Sequence, residues 1–396
     1  MNTQDYIAIE NEYGAHNYHP LDVVVKEAKG AWVEDVDGKK YLDCLAAYSA
    51  VNQGHCHPKI MEAFIEQAKH VTLTSRAFRN DKLPMFYKKL NEMTGYEMAL
   101  PMNSGAEAVE SAVKLARRWG YDLKGVEANK AEIIVADGNF HGRTTTIVGF
   151  SDDPSSYAGF GPYCTEAFPM HKYGDIEDLK SKITPNTVAV LIEPIQGEGG
   201  IVIPPDGYLK QVSEVCKENN ILFICDEIQA GLGRSGKLFA HYYENVRPDM
   251  VIIGKALSGG FYPVSAVLAD KAVMLVIKPG EHGSTFGGNP LAAAVAIKAL
   301  EVLEEENLVQ RSYELGEYFM QELRKIESPH LKLVRGRGLW IGVVLDRKAR
   351  PYCYKLKENG VLCKDTHENI IRIAPPLVIT KEEIDQAVVK FAEVLK

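Results

Sequence analysis

The sequence predicts an α/β fold, with a large domain built on a mainly parallel sheet and a smaller α+β domain at the C-terminal end. Between about residues 98 and 270, short apolar runs alternate with helical stretches, and this alternation is typical of a parallel sheet covered by helices. The chain has 396 residues, 46% of them hydrophobic, which is enough for two packed cores. We therefore expect an N-terminal segment over residues 1–50, a large domain over 51–289 and a small domain over 290–396.

The strands of the large domain are predicted from apolar runs. The clearest runs lie at residues 131–136, 187–192, 221–225 and 250–253. Periodic apolar residues between them predict helices over residues 107–120 and 207–219. Because parallel strands need long crossover connections, these helices are expected to cover the sheet.

The C-terminal part of the chain has a different order of elements. A long helical stretch is predicted from Pro290 to about Ile326, followed by short strands at residues 339–345 and 370–373 and a last helix from Lys381. No repeat, low-complexity tract or Pro/Ser-rich linker divides the chain. We expect tightly packed domains, with the N-terminal segment wrapping across them.

Charge and termini bear on the class of protein. The net charge is -8, without the basic stripe expected of a nucleic-acid binder. The first residues lack a basic region followed by an apolar core, and no apolar run is long enough to span a bilayer. We expect a cytoplasmic protein with neither nucleic acid nor membrane as a partner.

The cysteines and histidines do not predict a metal site. Seven cysteines occur without a C-x-x-C spacing, so reduced, mostly packed thiols are expected. His55, Cys56 and His57 are adjacent, but no second ligand cluster completes a coordination sphere, and Pro58 begins a predicted helix. We expect no metal.

Polar residues follow several of the predicted strands. They include Asn103, Glu193, Asp226 and Lys255. In open parallel sheets, ligands bind beyond the carboxyl ends of the strands. These side chains are therefore expected to gather at one edge of the sheet.

Asp226 and Lys255 end neighbouring predicted strands, and together they suit one type of chemistry. A partly desolvated lysine near another cation has a lowered pKa and can form an imine with an aldehyde cofactor. A carboxylate beside it would keep the pyridine nitrogen of such a cofactor protonated, so that the ring can act as an electron sink. From spacing alone, a solvated Asp–Lys salt bridge remains the simpler interpretation.

Two turns are candidates for binding phosphate. Ser104 to Glu107 fits the capping box S-x-x-E at the start of a helix, where free N–H groups and the helix dipole favour an anion. Residues 282–288 form a second turn of small residues that could supply hydroxyl and backbone donors. Each motif is also common in proteins without such a ligand.

Residues 231–236 match the dinucleotide-binding pattern G-x-G-x-x-G, and Asp249 follows. Residues 227–230 separate these glycines from their strand, and the short segment before Pro248 leaves little room for a crossover helix. We therefore reject a dinucleotide site and expect a flexible active-site loop.

Several motifs resemble those of the class III transaminases. The lysine segment at residues 248–260 reads PDMVIIGKALSGG, and the other matching segments are YSAVNQGHCHP at 48–58, EPIQGE at 193–198, GSTFGGNP at 283–290 and IRIAPP at 371–376. The resemblance runs from about Tyr13 to the C-terminal helix. It implies the fold-type I architecture of transferases that depend on pyridoxal 5'-phosphate (PLP), and a homodimer or higher homo-oligomer with active sites at the subunit interface.

The resemblance also implies how PLP is held. Lys255 would carry the cofactor as a Schiff base, Asp226 would pair with its pyridine nitrogen, and Phe140 would stack on the ring. Gln229 would lie near the phenolic oxygen of the cofactor. Phe140 could also be an ordinary core residue.

The phosphate of PLP would be bound from two subunits. Next to Ser104, the backbone N–H groups of Gly105 and Ala106 would donate to it. Thr285 would reach the same phosphate from the neighbouring subunit.

Within the family, the motifs are most similar to the branch that acts on L-ornithine. The resemblance implies transfer of the δ-amino group to 2-oxoglutarate by a ping-pong mechanism, giving glutamate 5-semialdehyde and glutamate, in arginine catabolism or proline synthesis. Tyr48 favours this branch over the branches that use acetylornithine or 4-aminobutyrate, whereas His141 departs from the tryptophan of some ornithine-specific members. Those branches, and a non-catalytic PLP-fold protein, are the alternatives.

The substrate would be recognised by Tyr18, Tyr48, Arg143, Glu198 and Arg372. Arg372 would bind the α-carboxylate of glutamate bidentately. With ornithine bound, the same guanidinium would be a desolvated charge without a partner. We hypothesise that Glu198 pairs with Arg372 in the ornithine half-reaction and moves away for glutamate or 2-oxoglutarate. Arg143 and both tyrosines would contact the distal groups, although both tyrosines could be simple packing residues.

Overall fold

The computed structural model describes residues 1–396. Its strands are β1 Val25–Lys29, β2 Trp32–Asp35, β3 Lys40–Asp43, β4 Met98–Met102, β5 Glu132–Ala136, β6 Met170–His171, β7 Thr187–Ile192, β8 Leu222–Asp226, β9 Met250–Ile253, β10 Ser265–Ala269, β11 Leu331–Gly336, β12 Ile341–Leu345, β13 Val361–Leu362, β14 Lys364–Thr366 and β15 Ile370–Ile373. Its helices are α1 Thr3–Tyr13, α2 Ala46–Ser49, α3 Pro58–His70, α4 Lys82–Thr94, α5 Gly105–Trp119, α6 Thr145–Val148, α7 Pro154–Tyr157, α8 Ile176–Ser181, α9 Tyr208–Glu218, α10 Lys271–Met274, α11 Pro290–Glu305, α12 Leu308–Arg324, α13 Arg350–Glu358 and α14 Lys381–Leu395.

The centre of the molecule is a seven-stranded sheet in the order β4-β10-β9-β8-β7-β5-β6. Strands β6, β5, β7, β8 and β9 are parallel to one another, as predicted. Strand β10 is antiparallel to both β9 and β4. The predicted α/β class with a mainly parallel sheet is confirmed.

Both faces of this sheet are covered by helices. Every residue of β7, β8 and β9 is buried, which is why these strands read as continuous apolar runs in the sequence. Helix α5 supplies one apolar cluster on the sheet and α9 supplies a second one. The carboxyl ends of β8 and β9 remain open for a site.

The helical stretch predicted from Pro290 to about Ile326 is divided into two helices in the structure. Helix α11 ends at Glu305, and Asn307 adopts a left-handed conformation with φ +56° before α12 begins. Asparagine enters this region more readily than most residues, so the chain turns at this point.

Two four-stranded sheets lie outside the central one, in the orders β1-β2-β3-β13 and β11-β12-β15-β14. Strand β3 is parallel to β13, with Leu42 opposite Val361, so the N-terminal segment joins the C-terminal part. Helix α11 packs against α3 and α4. The division of the chain at residues 50 and 289 stays a prediction. No helix is both long and apolar enough to cross a membrane.

The glycine-rich segment 231–236 is not the flexible loop that we expected. All of its residues are buried. The guanidinium of Arg234 donates from Nη1 to the carbonyls of Leu339 and Pro375, each at 2.7 Å, and from Nη2 to Asn52 Oδ1 at 2.6 Å. Segment 231–236 is therefore hydrogen-bonded both to Asn52, before α3, and to the C-terminal part of the chain.

Candidate active site

A cavity opens at the carboxyl ends of β8 and β9. The residues that line it are Gly105, Ala106, Phe140, His141, Gly142, Glu193, Ile195, Asp226, Ile228, Gln229, Ala230 and Lys255. The structure thus brings together most of the residues predicted to hold a cofactor, as expected for the ends of parallel strands. Ser104 lies one residue before the lining and caps α5.

Asp226, the last residue of β8, is held by two hydrogen bonds. Its Oδ2 lies 2.7 Å from Nδ1 of His141, and its Oδ1 accepts from the backbone N–H of Ile228 at 3.0 Å. Burial lowers the pKa of His141, but the hydrogen bond and charge of Asp226 outweigh burial and raise it. The carboxylate is therefore fixed in orientation and faces a buried imidazole rather than a lysine.

Lys255 follows β9 and lines the same cavity. Burial lowers its pKa to about 8, with a further contribution from the charge of Arg372, against the opposing charges of Glu198, Asp226 and Glu193. Its backbone is left-handed, with φ +43°, a conformation that a non-glycine residue keeps only where its surroundings enforce it. The simple salt bridge with Asp226, considered from the sequence, is absent. Lys255 is half-buried, and its amine loses its proton more readily than that of an exposed lysine.

Glu193 is a second buried carboxyl in the cavity. Burial and the charge of Asp226 raise its pKa to about 7, although the imidazole of His141 opposes them. Its Oε2 accepts from the backbone N–H of Phe140 at 3.0 Å and its Oε1 accepts from that of Gly197 at 3.3 Å. Glu193 thereby fixes the segment that presents Phe140 to the cavity.

The start of α5 has free donors that face the cavity. The capping box predicted at Ser104 is confirmed: Glu107 accepts from the N–H of Ser104 at 2.7 Å and donates its own N–H to Ser104 Oγ at 3.2 Å. Gly105 and Ala106 are the next N–H groups of the helix, and they have no partner within the chain. A Cβ on Gly105 would lie 3.0 Å from Ile228 Cδ1, so the backbone approaches the cavity closely.

The turn at residues 282–288, the second candidate for binding phosphate, lies outside the cofactor cavity. Thr285 is exposed and does not line this cavity. Its turn is fixed from behind, because Asn103 Nδ2 donates to Ser284 Oγ at 2.8 Å. This position agrees with the expectation that Thr285 serves a neighbouring subunit, which stays a prediction.

Arg372, on β15, is the most buried cation near Lys255. Its Nη1 donates to Glu198 Oε1 at 2.5 Å, and its side chain is 2% exposed against 33% for that of Glu198. Burial raises the pKa of Glu198, but the charge and hydrogen bond of Arg372 outweigh burial and lower it. Nε and Nη2 of Arg372 have no partner, so the guanidinium keeps two donors for a ligand.

The residues predicted to contact the distal end of the substrate lie beside the cofactor cavity. Tyr48 lies under the guanidinium of Arg372, which is 5.2 Å from the ring centroid, and Gln229 reaches the backbone oxygen of Tyr48 at 3.5 Å. Arg143 lies 5.4 Å from the ring centroid of Phe140, and its Nη1 is 3.4 Å from the hydroxyl of Tyr18. The predicted substrate residues therefore lie around two further cavities: Arg143 and Glu198 line one of them, together with Phe140, and Tyr18 and Tyr48 line the other.

The chain around Tyr48 is unusual. Residues 46–49 all have positive φ, between +47° and +70°. Left-handed backbone is costly for non-glycine residues, and such strain concentrates at ligand sites. The strained turn places the side chain of Tyr48 over Arg372 instead of in the core, against the simple packing role considered from the sequence.

The histidines of the His55-Cys56-His57 segment contact separate carboxylates. Nε2 of His55 lies 2.7 Å from Asp43, whereas Nε2 of His57 lies 3.1 Å from Glu306. These pairs connect the chain just before α3 to β3 and to the end of α11.

The cavity fits PLP on three observations. A half-buried lysine amine, a carboxylate held by hydrogen bonds and a helix start with free N–H groups are the groups that an aldehyde, a pyridine nitrogen and a phosphate require. Nε2 of His141 is buried without a partner, as expected for a polar atom at an incomplete site. We conclude that Lys255, Asp226, Gly105 and Ala106 could hold the cofactor.

Two residues of the site were missed from the sequence. His141 was noted only as a departure from a motif, and its contact with Asp226 depends on strands far apart in the sequence. Lys364 was not singled out, although its Nζ donates to the hydroxyl of Tyr48 at 2.8 Å. Only the pairing of β14 with β15 places it there.

Comparison with known proteins gives three close likenesses. The family model for aminotransferase class III matches residues 13–395. An ornithine aminotransferase of Exiguobacterium sp. (strain ATCC BAA-1283 / AT1b) is 60% identical over 385 residues, covering 97% of this chain and 96% of that protein. The solved structure of the ornithine aminotransferase from Toxoplasma gondii, with PLP at partial occupancy in its active site, has a TM-score of 0.98 at 44% identity and covers 100% of this chain and 94% of that one.

A further solved structure has a different specificity in its name. The acetylornithine aminotransferase from Elizabethkingia anophelis is 49% identical, has a TM-score of 0.91 and covers 100% of this chain and 99% of that one.

Proposed function

The chain belongs to the class III aminotransferases, and we propose that it transfers the δ-amino group of L-ornithine to 2-oxoglutarate with the side chains gathered around Lys255. The products are glutamate 5-semialdehyde and glutamate. The observation that carries this proposal is the Arg372–Glu198 ion pair beside Lys255, together with 60% identity to an ornithine aminotransferase over nearly the whole chain.

PLP, when bound, forms an imine with amines and accepts the electrons of a broken C–H bond into its ring. Lys255 has the properties of the residue that binds it and then moves the proton, because burial and Arg372 lower the pKa of its amine to about 8. Its Nζ is proposed to take the proton from the δ-carbon of ornithine as a general base. With the second substrate, Nζ returns a proton to the α-carbon.

Asp226 is proposed to hold the ring nitrogen of the cofactor in its protonated form. Its contacts with His141 at 2.7 Å and with the N–H of Ile228 at 3.0 Å support this role, because they fix the carboxylate in one orientation. Phe140, kept in place by Glu193, would lie against the ring. Gly105 and Ala106 would donate to the phosphate.

The enzyme must accept two unlike donors, and Arg372 with Glu198 can resolve this conflict. Glutamate places an α-carboxylate beside the reacting carbon, where the free donors of Arg372 would bind it. Ornithine places a methylene there, so the buried guanidinium needs another anion. Glu198 is that anion in the structure, and its partly exposed side chain has room to move away.

The distal end of each substrate would meet Tyr18, Tyr48 and Arg143. Arg143 has no carboxylate partner and lines a neighbouring cavity that shares Phe140 with the cofactor cavity. It is therefore available to the α-carboxylate of ornithine or the far carboxylate of 2-oxoglutarate. The hydroxyls of both tyrosines can donate to the same groups.

We further propose a homodimer that works in the cytoplasm. The exposed position of Thr285, away from the cavity of its own chain, supports a contribution to the site of a partner subunit. All seven cysteines are free, as expected in a reducing compartment. The semialdehyde product cyclises readily, which fits a place in arginine catabolism or proline synthesis.

Acetylornithine is the second candidate donor, because the acetylornithine aminotransferase structure is 49% identical to this chain. The distal nitrogen of acetylornithine belongs to a neutral amide, whereas the distal nitrogen of ornithine is a charged ammonium. The 60% identity to an ornithine aminotransferase is higher than the 49% identity to this acetylornithine aminotransferase. Ornithine is therefore the preferred proposal.

The product assay decides between the donors. Purified protein with PLP and 2-oxoglutarate is given ornithine, acetylornithine or 4-aminobutyrate at equal concentration, and glutamate is measured. A kcat/KM highest for ornithine, with a cyclising semialdehyde as co-product, is expected. A higher kcat/KM for another donor would reassign the substrate within the family.

A further inference from the structure

The turn at residues 282–288 is attached to the middle of α5 by a histidine. Nε2 of His282 lies 2.7 Å from Ser111 Oγ, and Nδ1 of His282 lies 2.9 Å from Lys114 Nζ. Ser111 is fully buried, and the imidazole is half-buried. Both ring nitrogens of His282 are therefore engaged by one helix, whose first N–H groups face the cofactor cavity.

The tip of this turn is held on both sides. Ser284 Oγ accepts from Asn103 Nδ2 at 2.8 Å and from the backbone N–H of Gly287 at 3.2 Å. A Cβ on Gly287 would lie 2.8 Å from the carbonyl oxygen of Pro101, so the turn packs closely on β4. Thr285 lies between these anchors and is exposed. The turn therefore presents Thr285 outwards in a fixed conformation, which a contact with a neighbouring subunit requires.

The hydrogen bonds determine the protonation state of His282. Ser111 Oγ donates its only proton to the carbonyl oxygen of Glu107 at 2.6 Å, so the hydroxyl oxygen accepts from Nε2–H of the imidazole. Lys114 is an ammonium that can only donate, so Nδ1 of the imidazole accepts from it. His282 is therefore neutral, with its single proton on Nε2.

The charges around the imidazole oppose its protonation. Burial and the charge of Lys114 lower the pKa of His282. Neighbouring carboxylates are engaged elsewhere, because Glu281 accepts from Arg118 at 3.1 Å and Glu107 caps the start of α5. A proton on Nδ1 would face the ammonium of Lys114 across 2.9 Å. Protonation of His282 therefore breaks its contact with Lys114.

We propose that neutral His282 is a positioning residue for the cofactor phosphate, because it holds the turn that presents Thr285 to the neighbouring subunit. The inference rests on the proposed function, in which Thr285 contributes to the site of a partner subunit. Since the pKa of His282 is lowered in the folded protein, the attachment is complete above the ordinary histidine pKa. It is lost as the pH falls towards the lowered value, and PLP is then bound less tightly.

The test measures the dissociation constant of PLP by equilibrium dialysis of the full-length protein, from about pH 8 to about pH 5, without an amino donor. PLP and Lys255 also titrate, so each variant is compared with the wild type at the same pH. In His282→Gln, the amide can donate to Ser111 and accept from Lys114 but does not titrate. We expect it to match the wild type at about pH 8 and to bind PLP more tightly than the wild type at about pH 5.

Variants of Lys114 test the clash of two cations. In Lys114→Gln, the amide oxygen can accept from a protonated Nδ1, so the acid-induced loss of PLP should be much smaller than in the wild type. Lys114→Arg keeps the charge and should keep the loss. Hydrogen exchange of the peptide over residues 282–288 should be faster in the wild type than in Lys114→Gln at about pH 5, and equal at about pH 8.

A double-mutant comparison separates positioning from general damage. His282→Ala should weaken PLP binding roughly tenfold at about pH 8, the usual effect of lost hydrogen bonds. In a Thr285→Ala background it should cost much less, because both residues act on one phosphate contact. His330→Gln removes a histidine that lies 3.5 Å from Asp346 instead. It is the matched control and should change neither PLP binding nor the exchange of the turn.

The failures of this inference and of the proposed function are distinguishable. A donor preferred to ornithine would refute the proposed substrate and leave these PLP measurements unchanged. If Thr285→Ala binds PLP as tightly as the wild type, the proposed contact between subunits fails, and the inference fails with it. If Thr285→Ala binds PLP weakly, the inference alone is overturned by wild-type affinity in His282→Ala, by an undiminished acid-induced loss in His282→Gln or Lys114→Gln, or by additive effects of His282→Ala and Thr285→Ala.

Discussion

Arg372 donates from Nη1 to Glu198 Oε1 over 2.5 Å, although Arg372 is almost completely buried and Glu198 is one-third exposed. The less mobile partner is therefore the cation that would bind substrate, and the more mobile partner is the anion that can leave. This asymmetry is what a site for two unlike donors requires.

Removing Glu198 should shift donor preference. In Glu198→Ala, Arg372 is free at all times, so we expect the ratio of kcat/KM for glutamate to that for ornithine to rise about tenfold or more. Single-turnover measurement of each half-reaction gives this ratio. Glu368→Gln, at the mouth of the cavity beside Glu198, is the matched control and should leave it unchanged; an unchanged ratio in Glu198→Ala would refute the switch.

Replacing Arg372 should have the opposite selectivity. Lys keeps the charge but loses the planar fork that binds a carboxylate bidentately, so Arg372→Lys should lower kcat/KM for glutamate and 2-oxoglutarate by roughly ten- to hundred-fold. The ornithine half-reaction should fall less, because Glu198 still has a cation to pair with. An equal fall in both half-reactions would contradict this role.

The amine of Lys255 should titrate near pH 8 in the cofactor-free protein. Burial and the charge of Arg372 lower its pKa to about 8, so the reactive neutral form dominates above this pH and disappears below it. Competitive acetylation followed by mass spectrometry measures the titration of each lysine. Lys59, whose hydrogen bond to Glu305 raises its pKa, is an internal control and should titrate well above Lys255; a reversed order would count against the buried environment.

The raised pKa of His141 should depend on Asp226. Burial alone lowers this pKa, and the carboxylate reverses the effect, so Asp226→Asn should bring it below the ordinary histidine value. In the wild type the pair stabilises the fold most at acidic pH, and this contribution is lost as the pH rises through the raised pKa. Nitrogen-15 NMR of labelled histidines, assigned with His141→Phe, follows the change. A pKa that is the same with and without Asp226 would exclude the coupling.

Arg234 should matter for stability rather than chemistry. Its loss leaves the buried carbonyls of Leu339 and Pro375 and the amide oxygen of Asn52 without a donor. We expect Arg234→Met to cost about 3–5 kcal/mol, visible as a lower Tm. Arg337→Met, whose ion pair reaches a fully solvated Asp206, should change Tm little. Similar Tm values for both variants would show that the junction does not depend on Arg234.

The sequence alone predicted a feature correctly where that feature lies within a single strand or helix. Continuous apolar runs predicted β7 and β9 at their observed bounds, and the S-x-x-E pattern located the start of α5. Strand ends then placed Asp226 and Lys255 in one cavity, because parallel strands end at the same edge of a sheet.

The features that the sequence did not predict depend on contacts between elements far apart in the chain. The antiparallel β10 and the partnership of Lys364 with Tyr48 follow from strand pairing, which no local pattern reveals. The glycine pattern at residues 231–236 predicted a flexible loop. The prediction was wrong because the segment is buried against the C-terminal part of the chain, which the pattern itself does not show. The break at Asn307 was missed because apolar periodicity continues across it.

Lys255 is proposed to hold PLP, with ornithine as the amino donor. The most direct measurement is the near-UV and visible absorption spectrum of the purified, PLP-loaded protein, before and after adding ornithine, acetylornithine or 4-aminobutyrate without a keto acid. We expect a cofactor band that is absent in Lys255→Ala and is lost fastest with ornithine in the wild type. A band that persists unchanged in Lys255→Ala would exclude Lys255 as the residue that binds PLP, and a wild-type band that ornithine leaves intact would exclude ornithine as the donor.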